Sequence, residues 1–176
     1  CAGEPGFSDN IQETLMNIYA ANLPVVHLKP GELVITKKPT LAVTVLGSCV
    51  SAIMYSARLQ IGAMCHGVLP ADNGKSNEDD YFRYVDNSIH YMIEAMSGMG
   101  LTLSEIDVKL FGGANRLLPD SDRIQAINVG KRNAEVAMDI IKSTGMNLSA
   151  FDLGGSQGRK VIFYTHTGKV LMKKIN

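Results

Sequence analysis

The sequence has no tryptophan, and only three cysteines: Cys1, Cys49 and Cys65. An odd, low cysteine count excludes the disulfide framework of small secreted domains and suits a reducing compartment. No apolar run approaches the length needed to span a bilayer. No basic segment followed by an apolar one opens the sequence, so no signal peptide is visible. A chain beginning at Cys1 could carry lipid there, but the cytosolic character of the rest fits a trimmed or partial sequence better. An excess of charge is also missing, with Lys plus Arg at 17 and Asp plus Glu at 17. That balance gives no electrostatic reason for nucleic acid or an anionic membrane as the main partner. Internal repeats, low-complexity tracts and domain-splitting linkers are absent.

What is present is a chain of 176 residues, 45% of them apolar, enough for one domain with a sizeable core. Residues 1–24 read as an N-terminal extension. Within it Ser8 or Asp9 caps a short amphipathic helix carrying Ile11, Leu15 and Ile18, which ends before Pro24. Residues 25–176 read as the domain proper. Strand patterns fall at 32–37, 40–47, 50–55 and 61–68, separated by glycine or polar turns. From Phe82 the apolar positions Val85, Ile89, Met92, Ile93 and Met96 recur at helical period and stop at Gly98 and Gly100. "IDVKLFGGA" is a strand running into a glycine turn, "LLPDSDRIQAINVG" a loop, and "KRNAEVAMDIIKSTG" a second helix. "NLSAFDLGG" and the hairpin "RKVIFYTHTGKVLMKKI", turning at Thr167-Gly168, close the chain in β structure.

Two residues stand out against this background. Cys49 follows Gly47-Ser48 between two apolar runs, in "TVLGSCVSAIMYS". A sharp turn there could aim backbone N–H groups beside the sulfur and at an oxyanion. His66 sits in "GAMCHGVLP", flanked by apolar residues, where an imidazole needs a reason to leave water. Either residue alone reads more simply as core: a buried thiol, or a histidine bonded to a backbone carbonyl. Together, on neighbouring strands, they could form an activated thiol. A zinc site is a weak reading, because Cys49, Cys65 and His66 lack paired ligand spacing and consecutive Cys65 and His66 point to opposite strand faces. His27, His90 and His166 read as surface histidines in a loop, a helix flank and a turn. "FGGAN" and "LGGSQGR" match neither the Walker pattern nor the dinucleotide fingerprint and read as tight turns.

Seven blocks, "VTVLGSCVSAIMYS", "GAMCHGVLP", "FRYVDNSI", "KLFGGAN", "VGKRNAE", "DLGGSQGRKVIF" and "GKVLMKKI", resemble in order and spacing the CheD family of chemoreceptor glutamine deamidases. The resemblance covers roughly residues 28–175. It implies an α/β fold of packed mixed β-sheets with flanking helices, similar to the catalytic domain of a glutamine-deamidating bacterial toxin. It implies a cytoplasmic chemotaxis enzyme that converts glutamine on receptor signalling helices to glutamate, and a CheC-type phosphatase as a further partner. By the family motifs Cys49 is the nucleophile, His66 the base, and Thr44 the group orienting His66. No metal or organic cofactor is expected. Two other classes stand beside this one. One is a binding module of the same fold that docks a phosphatase or receptor. The other is a thiol redox protein pairing Cys49 with Cys65.

Overall fold

The computed structural model describes residues 22–115 and 123–175. The helix expected before Pro24, and Cys1, lie outside these residues. Among the described residues nine strands form two sheets. The first sheet has the order β1 (Val25–His27), β3 (Leu41–Leu46), β8 (Gly158–Tyr164), β9 (Val170–Ile175). The second has the order β2 (Leu33–Thr36), β5 (Ile61–Cys65), β4 (Val50–Ser56), β6 (Asp107–Gly112), β7 (Asn147–Leu153). Pairing is antiparallel except for β1 with β3 and β6 with β7. Two helices, α1 (Val85–Gly98) and α2 (Arg123–Thr144), pack on the second sheet. The β6–α2–β7 segment is the helical crossover that a parallel pair requires. The protein is thus a mixed α/β fold in one domain.

The two-residue period of β4 distributes its side chains between two cores. Val50, Ala52 and Met54 join Ala63, Cys65, Val108 and Leu110 beneath Ile89, Met92 and Met96 of α1 and Ala137 and Ile141 of α2. Ile53 points the other way. With Met64 and Phe111 it meets Ala42, Leu46, Val161 and Phe163 of the first sheet. Both faces of β4 are therefore covered, which is why its sequence reads as a nearly unbroken apolar run. At Gly62 the second sheet packs closely on the end of β8: a Cβ atom there would stand 2.6 Å from the Thr165 carbonyl oxygen and 2.8 Å from the Phe163 ring.

Three sequence boundaries shift. The strand expected over 61–68 ends at Cys65, and only a single bridge, Val50 to Gly67, continues it. The reason is that Val68 and Leu69 turn their N–H groups to the Arg83 carbonyl instead, at 2.7 and 2.9 Å. Phe82 belongs to a short 3-10 turn, Tyr81–Arg83, and α1 starts at Val85. The segment 117–130 was expected to be loop. Its first part lies outside the described residues, but α2 already begins at Arg123. Gly130, the last residue of that segment, lies inside the helix and lets it approach the "GGAN" turn. A Cβ there would stand 2.6 Å from the Ala114 carbonyl oxygen.

Candidate active site

His66 lies just past the end of β5, buried between the two sheets at 3% exposure. Its backbone is clamped by the turn after β1: the Gly31 N–H donates to the His66 carbonyl at 2.8 Å, and the His66 N–H to the Glu32 carbonyl at 2.9 Å. Its ring meets the opposite sheet. Nδ1 is 2.7 Å from the hydroxyl of Thr44, a buried residue of β3. That hydroxyl is also 2.8 Å from the Leu28 carbonyl oxygen, which can only accept. The Thr44 proton therefore goes to Leu28, and its oxygen accepts from an Nδ1–H group. The tautomer follows: Nε2 bears the lone pair. Nε2 is buried and has no hydrogen-bond partner. Burial pulls the imidazole below its ordinary pKa of 6.5, against the opposing influence of the Leu28 carbonyl and Glu32. The ring is consequently a neutral base with its acceptor nitrogen free.

Cys49 sits one residue before β4, half-buried, and packs against the core between the sheets, the face that His66 occupies. The Val50–Gly67 bridge keeps the register of the β4–β5 ladder, so Cys49 is the diagonal neighbour of His66 on that face. The thiol is not hydrogen-bonded to the ring. Burial raises its pKa above the ordinary 9.0, while its own backbone N–H and the Arg83 guanidinium act to lower it. Substrate-free, the pair rests as thiol and imidazole.

The two glycine motifs brace this residue from behind. The Gly113 N–H donates to the Cys49 carbonyl and the Ala114 N–H to the Gly47 carbonyl, both at 2.8 Å. Gly112 adopts φ 115°, and a Cβ there would fall 2.1 Å from the Cys49 carbonyl oxygen. The second motif locks the first: the Gly154 N–H donates to the Gly112 carbonyl at 2.9 Å and the Asn115 N–H to the Gly155 carbonyl at 2.7 Å. Arg159, almost fully buried, ties that turn down through Asp152 and the Gly154 and Gln157 carbonyls. Both motifs are tight turns, as the sequence suggests.

The remaining candidates separate from the site. Cys65 faces the helices, on the opposite side of the sheet from Cys49. It accepts the Ala52 N–H at 3.4 Å, and burial pushes its pKa to about 11. That placement argues against a Cys49–Cys65 redox pair. His90 is exposed on α1, and His166 is half-buried in the β8–β9 turn. His27 is exposed as expected, but it ends β1 rather than lying in a loop. Two contributors escape sequence reasoning. The Leu28 carbonyl is a backbone group with no side-chain signature. Arg83 is one arginine in a polar connection, and only folding lays its stem over Gly31 and its charge toward Cys49.

Residues 68–174 match the family model described as CheD chemotactic sensory transduction. A relative from Geobacter sulfurreducens, named probable chemoreceptor glutamine deamidase CheD 2, is 45% identical over 88% of this chain and 92% of its own. A second, from Thermotoga maritima and named chemoreceptor glutamine deamidase CheD, is 33% identical over 82% of this chain and 88% of its own. Among solved structures, hypothetical protein YfiH of Bacillus licheniformis aligns with TM-score 0.47 and 9% identity over 86% of this chain and 71% of its own. The family model spans more than half of the chain and the relatives nearly all of it, so the chain belongs to the CheD family.

Proposed function

We propose that the protein is a chemoreceptor glutamine deamidase, hydrolysing the side-chain amide of receptor glutamine to glutamate and ammonia through Cys49, His66 and Thr44. The observation that carries the site is the Leu28–Thr44–His66 chain of hydrogen bonds, which leaves Nε2 free on the face that bears Cys49. Nε2 takes the thiol proton as the sulfur attacks the amide carbon. The oxyanion settles on the N–H groups of Gly47 and Cys49. The imidazolium then returns the proton to the departing nitrogen, the C–N bond breaks, and ammonia leaves behind a thioester. Water, deprotonated by Nε2, attacks the thioester; the C–S bond breaks, glutamate is released and the thiol is restored. Thr44 holds the ring in the productive tautomer throughout, as the third member of a triad does. Positioned proton transfer of this kind contributes about 10²–10⁴-fold.

The cytoplasm is the compartment that a receptor signalling helix as substrate implies. No described helix is long and apolar enough to cross a membrane. The family resemblance adds a CheC-type phosphatase as a second partner. Mass spectrometry of a glutamine-bearing receptor fragment from the same organism tests the activity. The expected result is an amide-to-acid mass change with matching ammonia for the wild type, and none for Cys49→Ala. A Cys49→Ala protein that still releases ammonia would refute the assignment.

A further inference from the structure

We infer that Asn133 is the positioning residue that holds the Cys49 segment and the His66 segment at working separation. The inference rests on the reading of Cys49 and His66 given above. The β4–β5 ladder makes its last backbone rung between Val50 and Gly67, with bonds of 2.9 and 2.8 Å. His66 stands just inside that rung and Cys49 just outside it; beyond the rung, no backbone bond among the described residues joins the Ser48–Cys49 segment to the Val68–Leu69 segment. The Cys49 carbonyl goes to Gly113, the Gly47 carbonyl to Ala114, and the Val68 and Leu69 N–H groups to Arg83.

The carbonyls of Ser48, immediately before Cys49, and of Val68, two residues after His66, are both acceptors, so neither can bond the other. They need a neutral group with two N–H bonds on one nitrogen. Asn133 supplies it. Its side-chain amide is fully buried, and Nδ2 stands 2.9 Å from the Ser48 carbonyl and 2.9 Å from the Val68 carbonyl. Two acceptors fix the orientation of the amide, because only the nitrogen can face them. The residue reaches the site backbone from α2, which covers the other face of the sheet from Cys49, and so it does not stand where substrate would. The close seating of α2 at Gly130, one turn earlier, brings the short asparagine stem within range. Asn133 therefore stands in for the missing next rung of the ladder. An aspartate of equal size would set a third acceptor against two carbonyls.

The test is a double-substitution cycle read on the thiol. Asn133→Ala should remain folded by circular dichroism and lower kcat by about 10²-fold, the cost of misplacing a reacting group by an ångström, with little change in KM. His66→Ala should slow iodoacetamide alkylation of Cys49 in the wild-type background but have little further effect in the Asn133→Ala background. If Asn133→Ala keeps wild-type kcat, or if removing His66 slows alkylation by the same factor in both backgrounds, the inference is overturned. Should Asn133→Ala fail to fold, the cycle moves to Asn133→Ser, which retains one donor and should give an intermediate kcat. Loss of fold in both variants would also overturn it, since the residue would then be a general support for the domain. Alkylation needs no substrate, whereas the deamidase reading is scored on ammonia from the wild type, so either can fail without the other.

Discussion

Thr44 has one hydroxyl proton, and the Leu28 carbonyl 2.8 Å away takes it. The oxygen is left to accept from Nδ1 of His66 at 2.7 Å, and the ring tautomer follows from that ordering. Thr44→Val keeps the β-branched shape and deletes both bonds, a net loss of about 0.5–1.5 kcal/mol for each in stability. The catalytic cost should exceed this, because the ring is a charged imidazolium in the transition state. The expected outcome is a lower kcat with an almost unchanged KM, milder than Cys49→Ala, measured by steady-state ammonia release. The buried ring also fixes the acid limb of the pH profile. His66 must be neutral to act as base, and burial lowers its pKa beneath 6.5. Activity should therefore persist as pH falls through 6.5 and fail only below it, when the ring finally takes a second proton. The pH dependence of kcat/KM, which reports the free enzyme, checks this. A limb at or above the ordinary histidine value would contradict the burial argument.

At the scale of elements, the site depends on where strands stop. β5 ends at Cys65 and β4 begins at Val50, so Cys49 and His66, the proposed nucleophile and base, both lie in short irregular segments at the same end of a rigid ladder. The "GGAN" turn after β6 supports the first of these segments. Gly112 stands at φ 115°, where an L side chain costs about 1–3 kcal/mol in backbone strain alone. Its missing Cβ also leaves room for the Cys49 carbonyl. Gly112→Ala should thus lower the melting temperature and displace the nucleophile, reducing activity more than the loss of folded protein explains. A Gly112→Ala protein with wild-type stability and rate would show that the turn can move without disturbing Cys49. The strand period makes a second prediction. Cys49 and Cys65 project from opposite faces of one sheet, and a disulfide cannot bridge side chains pointing apart. Mild oxidant should therefore leave no Cys49–Cys65 disulfide in peptide maps of the folded protein. Its appearance would restore the redox reading.

At the scale of the whole molecule, the division between what the sequence determined and what only folding decided follows the range of the interactions. The short, mostly apolar runs of β3 and β4, the helical repeat of Ile89, Met92 and Met96, and the glycine turns are local patterns, and each is legible within a window of a few residues. Cys49 and His66 stood out as candidates only as a pair: alone, a thiol after Gly-Ser and an imidazole in an apolar run each read more simply as core. The start of α2 was not: the segment expected to be loop ends on Gly130, and the use of that glycine is to approach Ala114, sixteen positions earlier in the chain. Thr44 was legible only as a match to a family motif. No local pattern states that its hydroxyl crosses from one sheet to the ring of a residue on the other, 22 positions away. Arg83, the Leu28 carbonyl and Asn133 come from a 3-10 turn, a loop and a helix whose own sequences are satisfied without them. Periodicity is set by backbone geometry, which every residue carries. The meeting of two sheets and a helix is set by side-chain packing at their interface, and that is specified only when all three are present.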